Sequence, residues 1–394
     1  MTERTVALRS RAAAHPALLA VSLLALGAVF ASLRLPMPDA LVYRAEGAAV
    51  LHGRDLYGFE VTEGHLPATY PPFAAVLFVP TALLPVPLLK SAFLAGNALL
   101  LAWLVHLSAR LAGRPAGLAT LCTATALALW CEPVFQTFRY GQINLALACL
   151  VLWDLTRPPG ARGRGAAIGL AAGVKLTPGL FAVYLLLRGR GREAATAAAA
   201  FAGTVAVGVL AEPAASVAYW TRHVFETDRV GKLWIVDNQS LQGLIARVLR
   251  DPAPGLAWLL PDLAVVAAGL WLARRAPGER WGVLLTAFTA LLVSPISWSH
   301  HWVWCVPLTA VLLAEGHRAW AALTAVVFTA RTLWLVPHAG ELDLRLPWWQ
   351  EPLAAPYALL GLALLAASAL GCVGRGGDGA APVRLPRPAV RPRP

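Results

Sequence analysis

Apolar runs of bilayer length, broken only by short clusters of charge, constrain this chain more than any other feature. A spanning helix needs about 20 mostly apolar residues, and Ala14 to Leu33 supplies such a run with no charge after His15. Comparable runs follow at Pro87–Leu107, Ala116–Cys131, Ile143–Leu155, Glu193–Leu210, Leu256–Ala273, Trp281–Ile296, Trp302–Leu313, Ala319–Val336 and Leu353–Cys372. With 58% hydrophobic and only 14% charged residues, the chain is too apolar for a soluble domain of its size. The expectation is an all-α polytopic membrane protein with about ten transmembrane helices, counted by the length rule. The first run is read as an uncleaved span, because no small-x-small cleavage site follows it.

The net charge of +12 would suit a nucleic-acid binder, but its placement argues for a membrane. The arginines sit in short loops beside the ends of apolar runs, as the positive-inside rule requires. Arg4, Arg9 and Arg11 put the amino end in the cytoplasm, and both termini are expected there. Residues 1–373 read as one transmembrane domain. The remainder, 374–394, is rich in Gly, Pro and Arg and reads as a disordered basic cytoplasmic tail. Most of the 15 tryptophans fall at predicted membrane ends and serve as interface anchors. The five cysteines are scattered within apolar runs and show neither a metal spacing nor a disulfide framework.

Two segments break the pattern. Tyr70 to Pro85 is apolar, but short and interrupted by proline, which suits an interfacial or re-entrant helix. Ala166 to Leu187 is long enough to span, yet Arg162 and Arg164 precede it and Arg188, Arg190 and Arg192 follow it, so both ends call for the same side. Its middle carries Lys175-Leu176-Thr177-Pro178. A lone lysine at mid-bilayer costs about 2.5–3.5 kcal/mol on insertion scales, and proline breaks a helix. A re-entrant pair of short helices meeting near Lys175 inside the bundle satisfies these residues better than one straight span.

Candidate chemistry gathers where predicted spans emerge. Asp39 follows the first run and shares a helix face with Tyr43, four residues on. Asp39 reads either as a helix N-cap behind Pro36 and Pro38 or as a general base at the membrane mouth. Gly141-Gln142-Ile143-Asn144 stands where a compact polar hairpin, Glu132 to Asn144, turns the chain back. Gln142 and Asn144 there would bind a hydroxyl-rich ligand or join helices. Asn238-Gln239-Ser240 offers the same choice, with Arg247 two turns along. Lys175 is functional by default as an ionisable group inside a bundle. Adjacent histidines, His300 and His301, point about 100° apart on a helix, so they do not make a metal site together; one reads as a phosphate or sugar contact, the other as packing. No metal and no cofactor is expected, and no nucleotide-binding fingerprint is present. An activated substrate must therefore come from the membrane.

Taken in order, Asp39-x-x-x-Tyr43, Gly53-x-x-x-Tyr57, Tyr70-Pro71-Pro72, Gly141-Gln142-x-Asn144, Lys175-x-Thr177-Pro178, Asn238-Gln239-Ser240 and Ser294-Pro295-x-Ser297-Trp298-x-His300-His301 resemble glycosyltransferase family 87. These are actinobacterial α-(1→2)-mannosyltransferases that use polyprenyl-phosphate mannose. The likeness runs from Asp39 to Trp304; after about Glu315 no motif matches. The resemblance implies a membrane-embedded fold of the C type, a catalytic aspartate in the first outer loop, and a lipid-linked sugar donor. It makes Asp39 the base that deprotonates a mannosylated glycolipid or lipoglycan acceptor, and His300 or His301 the contact to the donor phosphate. Lys175, Arg139, Arg222 and Arg247 are further donor candidates by topology. Tyr43, Tyr57, Tyr70, Gln142, Asn144, Asn238, Gln239, Ser297 and Trp298 are sugar or acceptor candidates. Two other sequence readings are the same architecture with arabinofuranose or glucose, and a lipid or sugar transporter. A third is a scaffold for envelope assembly.

Overall fold

The computed structural model describes residues 3–338 and 340–374, and the side chains from residue 15 onward. The tail expected to be disordered lies, from residue 375, outside the described residues, as do the side chains of Arg4, Arg9 and Arg11. Helices carry nearly all the regular structure. Among the described residues the strands are β1 (Glu60–Val61) and β2 (Leu66–Pro67), a two-residue antiparallel pair in register Glu60 to Pro67.

α1 (Glu3–Ser32) leads into α2 (Pro38–His52), the β1–β2 hairpin and α3 (Pro72–Ala82). Then come α4 (Val86–Leu111), α5 (Leu118–Ala128), α6 (Glu132–Tyr140), α7 (Asn144–Leu155), α8 (Ala166–Val174), α9 (Leu180–Leu187) and α10 (Gly191–Ala211). The second half holds α11 (Pro213–Thr221), α12 (Thr227–Val230), α13 (Leu241–Leu249), α14 (Leu259–Arg275), α15 (Glu279–Val293), α16 (Cys305–Ala314), α17 (Arg318–Thr329), α18 (Glu351–Ala354) and α19 (Pro356–Ala369). A 3-10 helix, Ser299–Trp304, precedes α16.

The expected apolar runs all reappear as helices, though several are shorter than a bilayer. Among the described residues three helices are long and apolar enough to cross a membrane: His15–Ser32 within α1, α4 and α10. The Ala116–Cys131 run does not end in a simple turn; α5 bends by 75° into α6. The polar hairpin expected there is instead a buried helix. Val134, Phe135 and Phe138 of α6 join the main core, while Glu132 accepts from the Trp334 indole at 2.9 Å and the Tyr357 hydroxyl at 2.8 Å.

The segment around Lys175 has the expected break. α8 and α10 run parallel, because a Cβ at Gly165, Gly169 and Gly173 would run in turn into Glu193, Ala197 and Thr204. Only glycine lets two helix backbones approach so closely. α9 then returns to the end from which α8 left, finishing at Leu187 just before α10 starts at Gly191. A nine-residue helix rises about 13 Å, less than half of a hydrocarbon core about 30 Å thick. α8 and α9 therefore form a helical hairpin, each arm too short to cross a bilayer, with Lys175 at its apex; this is the pair expected to be re-entrant. Its base is locked by Arg164 and Arg190, which both pair with Glu193 and Glu279. Asp154 adds to the lock by accepting from the backbone N–H groups of Gly165 and Ala167 at 2.8 and 3.0 Å.

Candidate active site

α2 places the carboxylate. Its N-cap is Met37, in the left-handed region at φ 45°, so Asp39 does not cap the helix, contrary to one of the two readings offered by its sequence context. Asp39 lies in the first turn instead, where the helix dipole favours an anion. Met37 N–H donates to the Arg139 carbonyl at 3.3 Å, which ties the start of α2 to the end of α6. Gly141, at φ 69°, completes the junction: a Cβ there would strike Ala40. This close approach brings the Gln142 side chain beside Asp39 on the cavity wall, where it lowers the carboxyl's pKa.

Asp39, Tyr43, Tyr70, Gln142, Lys175, Trp298 and His301 all line one cavity of about 470 Å³. Lys175 Nζ and His301 Nε2 lie 2.7 Å apart; with Lys175 as the donor, the ring proton sits on Nδ1. The same ammonium lies 5.6 Å from the Tyr70 ring centroid. Thr177 lines the cavity too, while Leu176, Leu180, Ala290 and Val293 make an apolar flank beside the re-entrant apex. Asp39 belongs to α2, outside the spanning helices. Burial pushes its carboxyl up to about 6, with Asp237 adding to the rise, while the Gln142 hydrogen bond and the Lys175 charge pull it down. A base with such a pKa is ionised at neutral pH yet still able to take a proton.

The paired histidines part company. His301 faces the cavity, whereas His300 is buried, with no hydrogen-bond partner for either ring nitrogen among the described residues, and packs edge-on to Tyr140 at 5.3 Å. The His300 carbonyl accepts from Asn144 Nδ2 at 3.1 Å. Asn144 and Ser297 line a small adjoining pocket on the far side of the Lys175–His301 pair.

Several other expected contacts do not line the cavity. Arg247 is enclosed and donates to the carbonyls of Trp234, Ile235 and Asn238, with Glu351 3.7 Å away; this is loop bracing, not the phosphate contact expected of it. Asn238 accepts from Ser240 and Ser297 N–H and donates to Leu233 and Pro295 carbonyls. Gln239 bonds Val236, Ala354 and Tyr357 backbone. Both are buried braces, in place of the sugar contacts expected of them. Arg139 stacks over Tyr140 at 5.7 Å, Arg222 pairs with Glu226 at 2.8 Å, and Tyr57 supports Tyr70 by donating to its carbonyl at 2.8 Å.

Thr69, Tyr219, His223, Glu226 and Thr227, which no sequence motif marks, also line the cavity. Asp237, also without a marking motif, is half-buried and accepts from the Ser299 N–H at 3.2 Å. Among the described residues no group of three or more His, Cys, Asp or Glu side chains is arranged to hold a metal ion.

Apolar helices surround a cavity that holds two carboxylates, Asp39 and Glu226, and the Lys175–His301 pair, a polar site within an apolar bundle as a membrane-embedded enzyme requires. The family model for glycosyltransferase family 87 matches residues 68–295. A mycobacterial relative, the polyprenol-phosphate-mannose-dependent α-(1-2)-phosphatidylinositol mannoside mannosyltransferase of Mycobacterium tuberculosis, is 36% identical over 84% of each chain. The corresponding phosphatidylinositol pentamannoside mannosyltransferase of Mycolicibacterium smegmatis is 34% identical over 79% of this chain and 78% of its own. The chain belongs to glycosyltransferase family 87 and is a glycosyltransferase. Among solved structures, ArnT from Cupriavidus metallidurans bound to undecaprenyl phosphate aligns over 93% of this chain and 78% of its own, at 17% identity and a TM-score of 0.41.

Proposed function

We propose that the chain is an inverting mannosyltransferase of the C type that moves mannose from polyprenyl-phosphate mannose to a mannosylated phosphatidylinositol lipid, forming an α-(1→2) link on the outer face of the plasma membrane. The observation that carries this is the placement of Asp39 and the Lys175–His301 pair on one cavity. In this reading Asp39 takes the proton of the acceptor 2-hydroxyl as its oxygen attacks the anomeric carbon. The bond from that carbon to the phosphate oxygen breaks, its electron pair leaves with polyprenyl phosphate, and a β-mannoside becomes an α-mannoside. Lys175 meets the charge gathering on the phosphate, and His301 is the histidine that contacts the donor. Fixed donors of this kind are each worth about 10²–10³ in rate. Polyprenyl phosphate is a good leaving group, so no second carboxylate is required. The apolar flank of Leu176, Leu180, Ala290 and Val293 suits the prenyl chain. Residues 1–373 act as one domain, with both termini cytoplasmic and membrane lipids around it.

The test uses purified protein in nanodiscs with radiolabelled polyprenyl-phosphate mannose and a panel of mannosylated inositol lipids, with and without chelator. Wild type should transfer mannose in both conditions. Asp39→Asn should lose about 10²–10⁴ in rate while still binding donor. Transfer only from an arabinofuranose or glucose donor would change the sugar, and full activity in Asp39→Asn would remove the base.

A further inference from the structure

The cavity has a second polar wall that the transfer chemistry leaves unused. Tyr219, His223, Glu226 and Thr227 line it, together with Thr69. His223 is packed in place, its ring 4.7 Å from that of Tyr57, and its Nδ1 lies 2.7 Å from Glu226 Oε2. With Nδ1 as the donor to that carboxylate, Nε2 is left as a free acceptor, and it has no partner among the described residues. Arg222 Nε occupies the other Glu226 oxygen at 2.8 Å. The hydrogen bond from His223, and then that from Arg222, hold the Glu226 carboxyl below the usual carboxylate range. The whole stretch is pinned to the β1–β2 hairpin side by Arg229, which donates to the carbonyls of Ala68 at 2.9 Å and Tyr57 at 2.6 Å. This wall is built and held, not a stretch of surface that happens to be polar.

We infer that His223 and Glu226 form the subsite for the acceptor's sugar, taking hydroxyl hydrogens of the acceptor mannose while Asp39 handles its attacking hydroxyl. The inference rests on the mannosyltransferase reading and assigns the partner of a wall that reading leaves empty. The donor is accounted for by Lys175, His301 and the apolar flank. An ionised carboxylate repels the acceptor's own phosphate, and its lone pairs accept from neutral hydroxyls. Two acceptor atoms on one wall, the Glu226 carboxylate and His223 Nε2, suit a pair of neighbouring sugar hydroxyls.

The experiment compares wild type, His223→Phe and Glu226→Gln under saturating donor, reading kcat and acceptor KM, with donor Kd measured separately. His223→Phe keeps a ring against Tyr57 and removes both nitrogens; unchanged donor Kd shows that each variant is folded. Each variant should raise acceptor KM about tenfold, the loss of roughly one hydrogen bond to a charged or oriented group, with donor Kd moved less than about twofold. Unchanged acceptor KM in both variants, with wild type transferring mannose normally, would overturn the subsite alone. Failure of wild type to mannosylate any inositol lipid, with donor still bound, would overturn the functional reading and the subsite with it.

Discussion

Gln142 has one amide oxygen and one amide nitrogen to aim, and Tyr43 determines which faces Asp39. The Tyr43 hydroxyl donates to Gln142 Oε1 at 2.9 Å, with Asn144 Nδ2 a more distant second donor at 3.5 Å. The nitrogen is left to face the Asp39 carboxylate, and donation to that group favours its charged form. Tyr43 is itself steadied by Tyr70, whose hydroxyl lies 3.1 Å away, and by the Phe78 ring stacked at 4.4 Å. In the proposed mechanism Asp39 takes a proton only when ionised, so the rate of transfer should fall as pH drops through about 6. Tyr43→Phe frees the amide to turn, and the acid limb of kcat/KM should move up by as much as about one unit, with kcat on the alkaline plateau little changed. A profile that keeps its limb in Tyr43→Phe would mean that Gln142 needs no such orientation. Lys175→Gln makes a separate prediction: a loss of about 10²–10³ in kcat with the acid limb moved upward, since the charge that helps hold Asp39 ionised is gone.

Among the elements, the re-entrant pair is the one most dependent on a few small residues. Gly169→Leu would press a branched side chain into the Ala197 backbone of α10, and overpacking of this kind costs about 1–3 kcal/mol. The melting temperature in detergent should drop, and activity should fall with it because Lys175 sits at the apex; Gly203, with nothing near its Cβ position, gives the control, since Gly203→Ala should melt like wild type. This pair was also the most legible part of the chain. The arginines on both sides of Ala166–Leu187 and the Lys175–Pro178 break carried the signal, because charge and proline have few ways to be satisfied at membrane depth. α6 was less legible: Val134, Phe135 and Phe138 are interspersed with Glu132, Gln136 and Arg139, so the helix reads as a polar turn until the 3-10 helix Ser299–Trp304, α4 and α7 bury it. The site was half legible. Asp39, Lys175 and His301 stand out as ionisable residues beside apolar runs, whereas His223 and Glu226 are ordinary members of a polar loop. Their meaning comes only from packing on Tyr57. Asn238, Gln239 and Arg247 misled for the same reason in reverse: their side chains are polar, but they are spent on backbone carbonyls and N–H groups.

Across the whole molecule, the charged base of the re-entrant pair and the cavity lie at opposite ends of α8. Single cysteines at Arg162 and Arg192 should therefore label from one side of the membrane, and a cysteine at Thr62 in the β1–β2 hairpin from the other. Labelling of Arg162 and Arg192 from different sides would make the segment a true span. The last helices close the structure over this frame, since Tyr357 reaches Glu132 and the Ala354 carbonyl receives Gln239. That C-terminal closure ties residues with no recognisable motif to the helices and loops beside the cavity. The parallel seating of α8 on α10 also has a consequence for synthesis. α8 and α9 have nine and eight residues with a lysine between them, so neither can commit to the bilayer as it leaves the ribosome. The hairpin must wait at the insertion machinery until the 21 residues of α10 have followed it and offered their groove. On that order the Lys175 side of the cavity is assembled late, and a nascent chain halted before Ala211 is expected to hold its lysine outside the lipid.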